Sequence, residues 1–143
     1  RKTNDTNGMT KSLDTKILHA DITEKIIQSF FEVNKVFTYP LPTDFFRNAL
    51  AIEFEHNGLK TVKNYSIEVK YRDKSIGNLS ADFLINNKVL VLVVCTENID
   101  RQMETDAKLL LRNSKYEVLL ILNNFGDREF KRFIFTNDYK SKK

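Results

Sequence analysis

The chain is poor in the residues that build disulfides and metal centres. It has a single cysteine, Cys95, and two histidines, His19 and His56, with no metal-ligand spacing around them. One cysteine excludes a disulfide scaffold and a cysteine-based zinc site, and isolated histidines argue against a histidine-rich metal site. No apolar run approaches the roughly 20 residues of a membrane-spanning helix, so we expect no membrane insertion.

The composition that remains is typical of one folded domain. Hydrophobic residues make up 41% of the 143 residues, with 11 Phe and 5 Tyr among them. Disordered chains carry few aromatics, and a chain of this length has room for one core. We therefore expect a flexible basic N-terminal tail over residues 1–15, a single domain over residues 16–138 and a basic C-terminal tail over residues 139–143.

The positive charge lies mostly at the two ends. The formal net charge is +4, but residues 1–12 carry a net +2 and the last five residues a net +3, which leaves the body close to neutral. A body built only to grip a phosphate backbone would be more basic. The ends can attract nucleic acid or an acidic partner, or they can be ordinary solvated termini.

Hydrophobic spacing predicts three helices. The first covers residues 21–35, with Asp21 and Glu24 as a capping box, and the prolines within residues 39–42 end it. The second starts with Thr43 as its N-cap and stops near Gly58. The third covers residues 100–113.

Five strands are predicted from alternating or continuous apolar residues. Residues 65–71 and 79–85 alternate, and Asp82 stands opposite its apolar neighbours. Residues 89–95 are apolar without a break, which is typical of a central strand buried on both faces and makes Cys95 a packed thiol. Residues 118–122 and 130–135 complete the set. Two helices, a three-stranded meander, a crossover helix and two further strands make an α/β (α+β) fold.

Several segments carry a family resemblance by their order and spacing. They are residues 46–54 (FRNALAIEF), 67–72 (IEVKYR), 81–85 (ADFLI) with 88–91 (KVLV), and 124–126 (NFG). Together they resemble the core of the PD-(D/E)XK nucleases and, more narrowly, the GxxExxY family of small proteins in that fold, over about residues 19–136. The resemblance implies a restriction-endonuclease-like core.

The resemblance also implies a chemistry. Active members of the fold cut nucleic acid with a divalent metal, which an Asp and a Glu hold through hard oxygen ligands. A Lys two residues beyond that Glu lies on the same strand face, where it orients the attacking water and steadies charge on the phosphate. A helix Glu and a helix Gln support the site.

This chain keeps only the Asp of that set, as Asp82. The family's Glu falls on Leu92 and its Lys on Val94, while the helix Glu falls on Thr43. Its Tyr falls on Phe46, and its Gln falls near Asp106 or Ala107. The resemblance therefore implies a degenerate member with no catalytic residue, no metal and no cofactor.

Two questions stay open at this point. Asp44 or Glu68 could replace a lost carboxylate, which would leave weak residual activity without the Lys. Asp82 is either a remnant metal ligand or a strand-end carboxylate satisfied by a backbone N–H or a Lys.

Two basic clusters interleaved with aromatics are candidate nucleic-acid contacts, because such pairs can meet phosphate and stack bases. Alternatively, the aromatics face the core and the charges are solvated. The candidates are Lys60, Lys63, Lys70, Arg72 and Lys74 in the first cluster and Arg128, Lys131 and Arg132 in the second.

These observations lead us to expect a catalytically inactive nuclease-like domain that serves as a nucleic-acid-binding or structural subunit of a larger assembly. An organellar ribosome or another ribonucleoprotein is one home for it, which would make the partners RNA or protein subunits rather than a small-molecule substrate. A mitochondrial or other organellar location rests on the basic tails and the non-Met start, with cytoplasm or nucleus as the alternatives. A protein-binding scaffold without nucleic acid and a weak metal-dependent nuclease are the competing hypotheses.

Overall fold

The computed structural model describes residues 3–5, 18–37, 39–125 and 128–140. Within these residues a six-stranded sheet carries helices on both faces. Its helices are α1 (Ala20–Val36), α2 (Thr43–His56), α3 (Arg101–Arg112) and α4 (Asn137–Lys140). Its strands are β1 (Thr3–Asp5), β2 (Thr61–Tyr71), β3 (Lys74–Ile85), β4 (Val89–Val94), β5 (Val118–Asn123) and β6 (Phe130–Ile134). None of the helices in the described ranges has the length and hydropathy to cross a bilayer.

The strand order β1-β6-β5-β4-β3-β2 makes the sheet mixed. Strands β2, β3 and β4 form an antiparallel meander, and α3 then crosses over so that β5 pairs parallel to β4. Strand β6 returns antiparallel to β5, and β1 pairs parallel to β6. The element order confirms the predicted α/β architecture and is consistent with a restriction-endonuclease-like fold. Strand β1 falls within the segment expected to be a tail, and the domain boundaries remain a prediction.

Each face of the sheet buries its own core. On one face α1 packs against α2 through the edge-to-face pair Phe30 and Phe46, with ring centroids 6.0 Å apart, and α2 packs against β3 through Phe54 and Phe83 at 5.2 Å. On the other face the buried residues of α3 pack against β5. Strand β4 is covered on both faces, as its continuous apolar run predicts.

Two predicted helix starts are wrong by a residue or two. Helix α1 begins at Ala20 after His19, which has φ 57° and makes no side-chain cap, so Asp21 lies in the first turn instead of forming a capping box with Glu24. Helix α2 begins at Thr43 itself, and Pro42 stands at the cap without a side-chain bond. The apolar stripe predicts which face of a helix packs against the core. The conformation of the residues that precede the helix decides which of them is the cap.

The prediction that Cys95 is a packed thiol is also wrong. Strand β4 ends at Val94, and Cys95 is exposed beyond it. The buried Asn123 holds the next residue at the end of β5: its Oδ1 accepts from the Thr96 N–H at 3.1 Å and its Nδ2 donates to the Thr96 carbonyl at 2.8 Å. The apolar sequence of residues 89–95 is therefore one residue longer than the buried strand, and Cys95 is the residue that lies outside the core.

The β2–β3 hairpin changes face at Asp82. Ala81 packs in the core under α3, whereas Phe83 packs in the core under α1 and α2. Residues two apart in a regular strand share a face, so the predicted alternation through Ala81 and Phe83 is wrong at this point. Asn64, which the pairing register sets across from Asp82, has φ 53°. This local rotation brings Asp82 towards α2.

A tyrosine pair anchors the hairpin to the α3 side. The rings of Tyr65 and Tyr116 meet edge to face at 5.8 Å, with their hydroxyl oxygens 3.4 Å apart. The Tyr116 hydroxyl donates to Asn87 Oδ1 at 2.8 Å. Burial, and then the hydrogen bond and charge of Tyr65, raise the pKa of Tyr116 to about 12. Tyr65 thus faces the core, whereas Tyr71 on the same strand is 62% exposed.

The raised pKa of Tyr116 predicts a loss of stability at alkaline pH. The folded protein keeps the Tyr116 proton between pH 10 and about 12 while the unfolded chain releases it, so the free energy of unfolding falls as pH rises through that range. At about 1.4 kcal/mol per pKa unit the loss is roughly 2–3 kcal/mol. Tyr116→Phe lacks this titration, so the stability gap between the two proteins in urea unfolding should shrink from about pH 8 to about pH 11. A gap that does not change with pH would contradict the buried hydroxyl.

Candidate functional site

Asp82 lies where two strands of the meander separate. The β3–β4 register runs from Ile85↔Val89 to Phe83↔Val91, and beyond that point β4 continues alongside β5. Where β3 and β4 separate, the backbone N–H groups of β4 that would have bonded to β3 need another acceptor. The Val93 N–H donates to Asp82 Oδ2 at 2.7 Å, and the Asp82 side chain is 18% exposed. One carboxylate oxygen therefore closes the gap between β3 and β4.

The second oxygen of Asp82 faces an arginine on α2. Arg47 Nε lies 2.8 Å from Asp82 Oδ1. The contact is an ion pair rather than an aligned hydrogen bond, because Arg47 Nε finds no acceptor with hydrogen-bond geometry among the described residues. Arg47 Nη1 also donates to Asp44 Oδ1 at 2.6 Å. One guanidinium thus bridges a half-buried carboxylate and an exposed one.

Arg47 is the site residue that sequence reasoning missed. The interpretation of Asp82 as a strand-end carboxylate named a backbone N–H or a Lys as its partner, and the structure places the Val93 N–H and Arg47 there. The only local signal is a cation beside Phe46 in the apolar stripe of α2. Nothing in that stripe relates Arg47 to a strand more than thirty residues away.

Leu92 and Val94 lie on the α3 side of β4, half-buried against the core on that face. Their side chains offer methyl groups where the resemblance places a carboxylate and an ammonium group. Mg²⁺ takes oxygen ligands, and a guanidinium already lies against Asp82. The donor set around Asp82 therefore does not fit a divalent cation, and no group of three or more His, Cys, Asp or Glu within the described ranges is arranged to hold one.

The two candidate replacement acids lie in different places. Asp44 is in the first turn of α2, 83% exposed, and shares Arg47 with Asp82. Glu68 is exposed and 3.8 Å from Lys70. Its partner in the register is Asn78, four residues along β3 from Asp82, which at ~3.3 Å per residue is about 13 Å away.

The remaining positions of the family pattern also lack catalytic groups. Phe46 is fully buried in the core, and Thr43 is the half-buried first residue of α2. On α3, Ala107 is fully buried and Asp106 Oδ1 accepts from Gln102 Nε2 at 2.9 Å. Phe46 and Ala107 are packing residues, and Asp106 is bonded within its own helix.

An open cavity of about 240 Å³ lies beside Arg47. Its size suits a small polar group rather than a drug-sized ligand, since such ligands occupy pockets of roughly 300–1,000 Å³. Arg47 is already paired with two carboxylates, so the cavity has little net positive charge. Its lining residues are Asp44, Arg47, Asn48, Lys63, Asn64 and Phe83.

The first basic cluster follows a single structural element. All of its side chains are exposed, and β2 is the last strand of the sheet. Lys70 has an ion pair with Glu68, and no ion pair involves the other four cations within the described part of the chain. The cluster consists of Lys60 just before β2, Lys63 and Lys70 on β2, Arg72 in the turn and Lys74 at the start of β3.

The second basic cluster does not form a comparable surface. Lys131 makes an ion pair with Glu104 of α3, so it faces the α3 side. Arg128 Nη1 contacts the Asn34 carbonyl of α1 at 3.5 Å, and all three cations, Arg132 included, are half-buried. Strand β6 is also four positions from β2, about 19 Å at the usual strand spacing. The two clusters therefore lie apart.

The Arg47–Asp82 pair predicts strong energetic coupling. Arg47→Met leaves a half-buried carboxylate without its cation, so we expect a stability loss of roughly 1–3 kcal/mol, and adding Asp82→Asn should recover part of it. Urea unfolding of the four proteins of the cycle gives the coupling energy. Asp44→Asn is the matched control, because the exposed partner should change stability by at most about 0.5 kcal/mol. A coupling energy near zero would refute the pair as a structural element.

Most of the chain matches the model of one protein family. A family model of the PD-(D/E)XK nuclease superfamily matches residues 20–133, from the first residue of α1 into β6. Searches of curated proteins and of solved structures found no match. The matched stretch covers most of the chain and includes Asp82 together with positions 92 and 94. The chain therefore belongs to the PD-(D/E)XK nuclease superfamily.

Proposed function

We propose that this protein is a catalytically inactive PD-(D/E)XK domain of the GxxExxY type that binds nucleic acid as a subunit of a larger assembly. The observation that carries the proposal is the ion pair between Asp82 and Arg47. It puts a fixed positive charge against the one acidic residue that remains of the metal-binding motif.

Electrostatics and ligand chemistry support the loss of catalysis. Metal-assisted hydrolysis of a phosphodiester needs a bound cation that activates water and offsets negative charge in the transition state. Leu92 and Val94 cannot coordinate a cation or orient a water molecule. A guanidinium 2.8 Å from Asp82 Oδ1 also repels a second cation, because like charges at short range in a half-buried site are weakly screened.

The exposed cations of the β2–β3 hairpin support nucleic-acid binding. Lys63, Arg72 and Lys74 form no ion pairs within the described residues, so their charge is available to phosphate groups. The nucleases of this superfamily act on nucleic acid, and losing the catalytic groups leaves the surrounding shape in place. We extend the proposal to a subunit of a ribonucleoprotein, of which an organellar ribosome is one example. The positive charge of residues 1–12 and 139–143 supports this extension, because it attracts nucleic acid.

The absence of catalysis is tested directly. Purified protein at micromolar concentration should not cut plasmid DNA, single-stranded DNA or structured RNA with Mg²⁺ or Mn²⁺ above the level of a mock purification. Asp82→Ala should behave identically, because no reaction depends on that carboxylate. Cleavage that disappears in Asp82→Ala would overturn the proposal, since a contaminating nuclease would not respond to the substitution.

Nucleic-acid binding is tested through its salt dependence. We expect the affinity to fall steeply between low and physiological salt, as it does when phosphate contacts release counterions. Replacing the hairpin lysines Lys63, Lys70 and Lys74 by Gln should weaken binding by about tenfold or more and flatten the salt slope by up to about three. The same change at the exposed Lys25, Lys88 and Lys108, elsewhere on the surface, is the matched control. Undetectable binding at low salt would favour a protein-binding scaffold instead.

A further inference from the structure

The turn of the β2–β3 hairpin has an unusual residue in a left-handed conformation. The last pair of the ladder is Tyr71↔Lys74, so Arg72 and Asp73 form a two-residue turn. Both have positive φ, 52° and 66°. Tight hairpin turns of this kind favour Gly, Asn and Asp, because the left-handed region is unfavourable for residues with a bulky Cβ substituent. Asp73 suits the turn, and Arg72 does not.

Contacts within the described residues do not explain why an arginine occupies this position. Arg72 Nε lies 3.4 Å from the hydroxyl oxygen of Tyr71, and its guanidinium carbon is 5.6 Å from the centroid of that ring. No carboxylate of the described residues pairs with it. A guanidinium has five N–H donors, so most of its hydrogen-bonding capacity is unused. A strained arginine whose only contacts within the described residues are with the neighbouring Tyr71 points to a partner outside the chain.

The tip also has a β-bulge in its ladder. The register passes from Val69↔Gly77 to Lys70↔Ser75, which leaves Ile76 as an extra residue in β3. Such a bulge redirects neighbouring side chains. Ile76 is 67% exposed and Tyr71 is 62% exposed, beside the cations of the tip.

The hairpin extends well past the strand that supports it. Strand β4 pairs with β3 only over residues 83–85, and the pair Ile67↔Leu79 still packs against the core under α3, so the ladder beyond that pair is a two-stranded arm with an exposed tip. From Ile67 to Tyr71 the arm is about 13 Å long at the usual rise of ~3.3 Å per residue. It is therefore long enough to enter a groove rather than only touch a surface.

We propose that this tip, defined as residues 70–76, is the element that contacts the nucleic-acid backbone, with Arg72 as its central phosphate ligand. The proposal rests on the nucleic-acid binding proposed above and names the residue that delivers it. A planar guanidinium matches two phosphate oxygens at once, and stacking on Tyr71 orients it in advance. The exposed Tyr71 ring can also stack on an unpaired base.

The same phosphodiester chemistry occurs in double-stranded DNA and in RNA. A two-stranded ribbon fits the major groove of B-form DNA, about 12 Å wide. The major groove of A-form RNA is deep and narrow, so RNA would be bound at loops and unpaired bases instead. Comparing a DNA duplex and an RNA duplex of about 20 base pairs with a single-stranded RNA of the same length separates these sources.

The test uses a substitution that separates binding from folding. Glycine adopts the conformation of residue 72 without strain, so Arg72→Gly should leave the melting temperature unchanged or raise it. Its affinity for the best of the three probes in fluorescence anisotropy should fall about tenfold, and the salt slope should fall by about one. Arg72→Asn, a second variant that tolerates the turn, should behave in the same way.

Asp73→Gly is the matched control. It removes a positive-φ side chain from the same turn but keeps Arg72 and deletes a negative charge, so affinity should stay the same or rise. If both Arg72 variants bind as tightly as the wild type while the hairpin lysine triple variant binds more weakly, Arg72 is not the central phosphate ligand, the proposal is wrong and the nucleic-acid function stands. If no probe binds at low salt, the proposed function fails as well, and the exposed tip would then be a contact for a protein.

Discussion

The negative charge of the Asp82 carboxylate must be offset inside the fold, and the groups that offset it join β3, β4 and α2. It is a half-buried negative charge at the point where β3 leaves β4, and an uncompensated charge in such a place is costly. The Val93 N–H satisfies one oxygen and the Arg47 guanidinium faces the other. Two strands and a helix therefore meet at one side chain. In the active nucleases that the chain resembles, a divalent cation does this work.

The aliphatic residues of β4 are consistent with that substitution. With no cation to hold, a carboxylate at position 92 and an ammonium group at position 94 would be half-buried charges on the α3 side. Leu92 and Val94 instead pack against the core under α3. Both positions therefore contribute to packing on the α3 side of β4.

Similar sequence signals had different structural outcomes in the two basic clusters. The cations of the β2–β3 hairpin lie on an edge strand and its projecting tip, where water or a ligand reaches them. In the second cluster Lys131 meets Glu104, which a distant helix supplies, and Arg128 reaches the end of α1. Charge and aromatic content alone could not separate these cases. Whether a cation is available depends on which elements pack beside its strand.

The order and type of the elements could be read from the sequence, because periodicity records which face each segment buries and does not need to know its neighbours. The family resemblance assigns the site positions to Asp82, Leu92 and Val94 by spacing along one hairpin, and these assignments stay predictions. Three features could not be predicted from the sequence: the first residues of the helices, the exposure of Cys95 and the rotation of the hairpin at Asn64. Each of them depends on how the chain approaches a helix or on where the core ends in space. Arg47 as the partner of Asp82 was decided only by the tertiary structure: residues 35 positions apart meet because α2 packs across β3, and no local pattern encodes that contact.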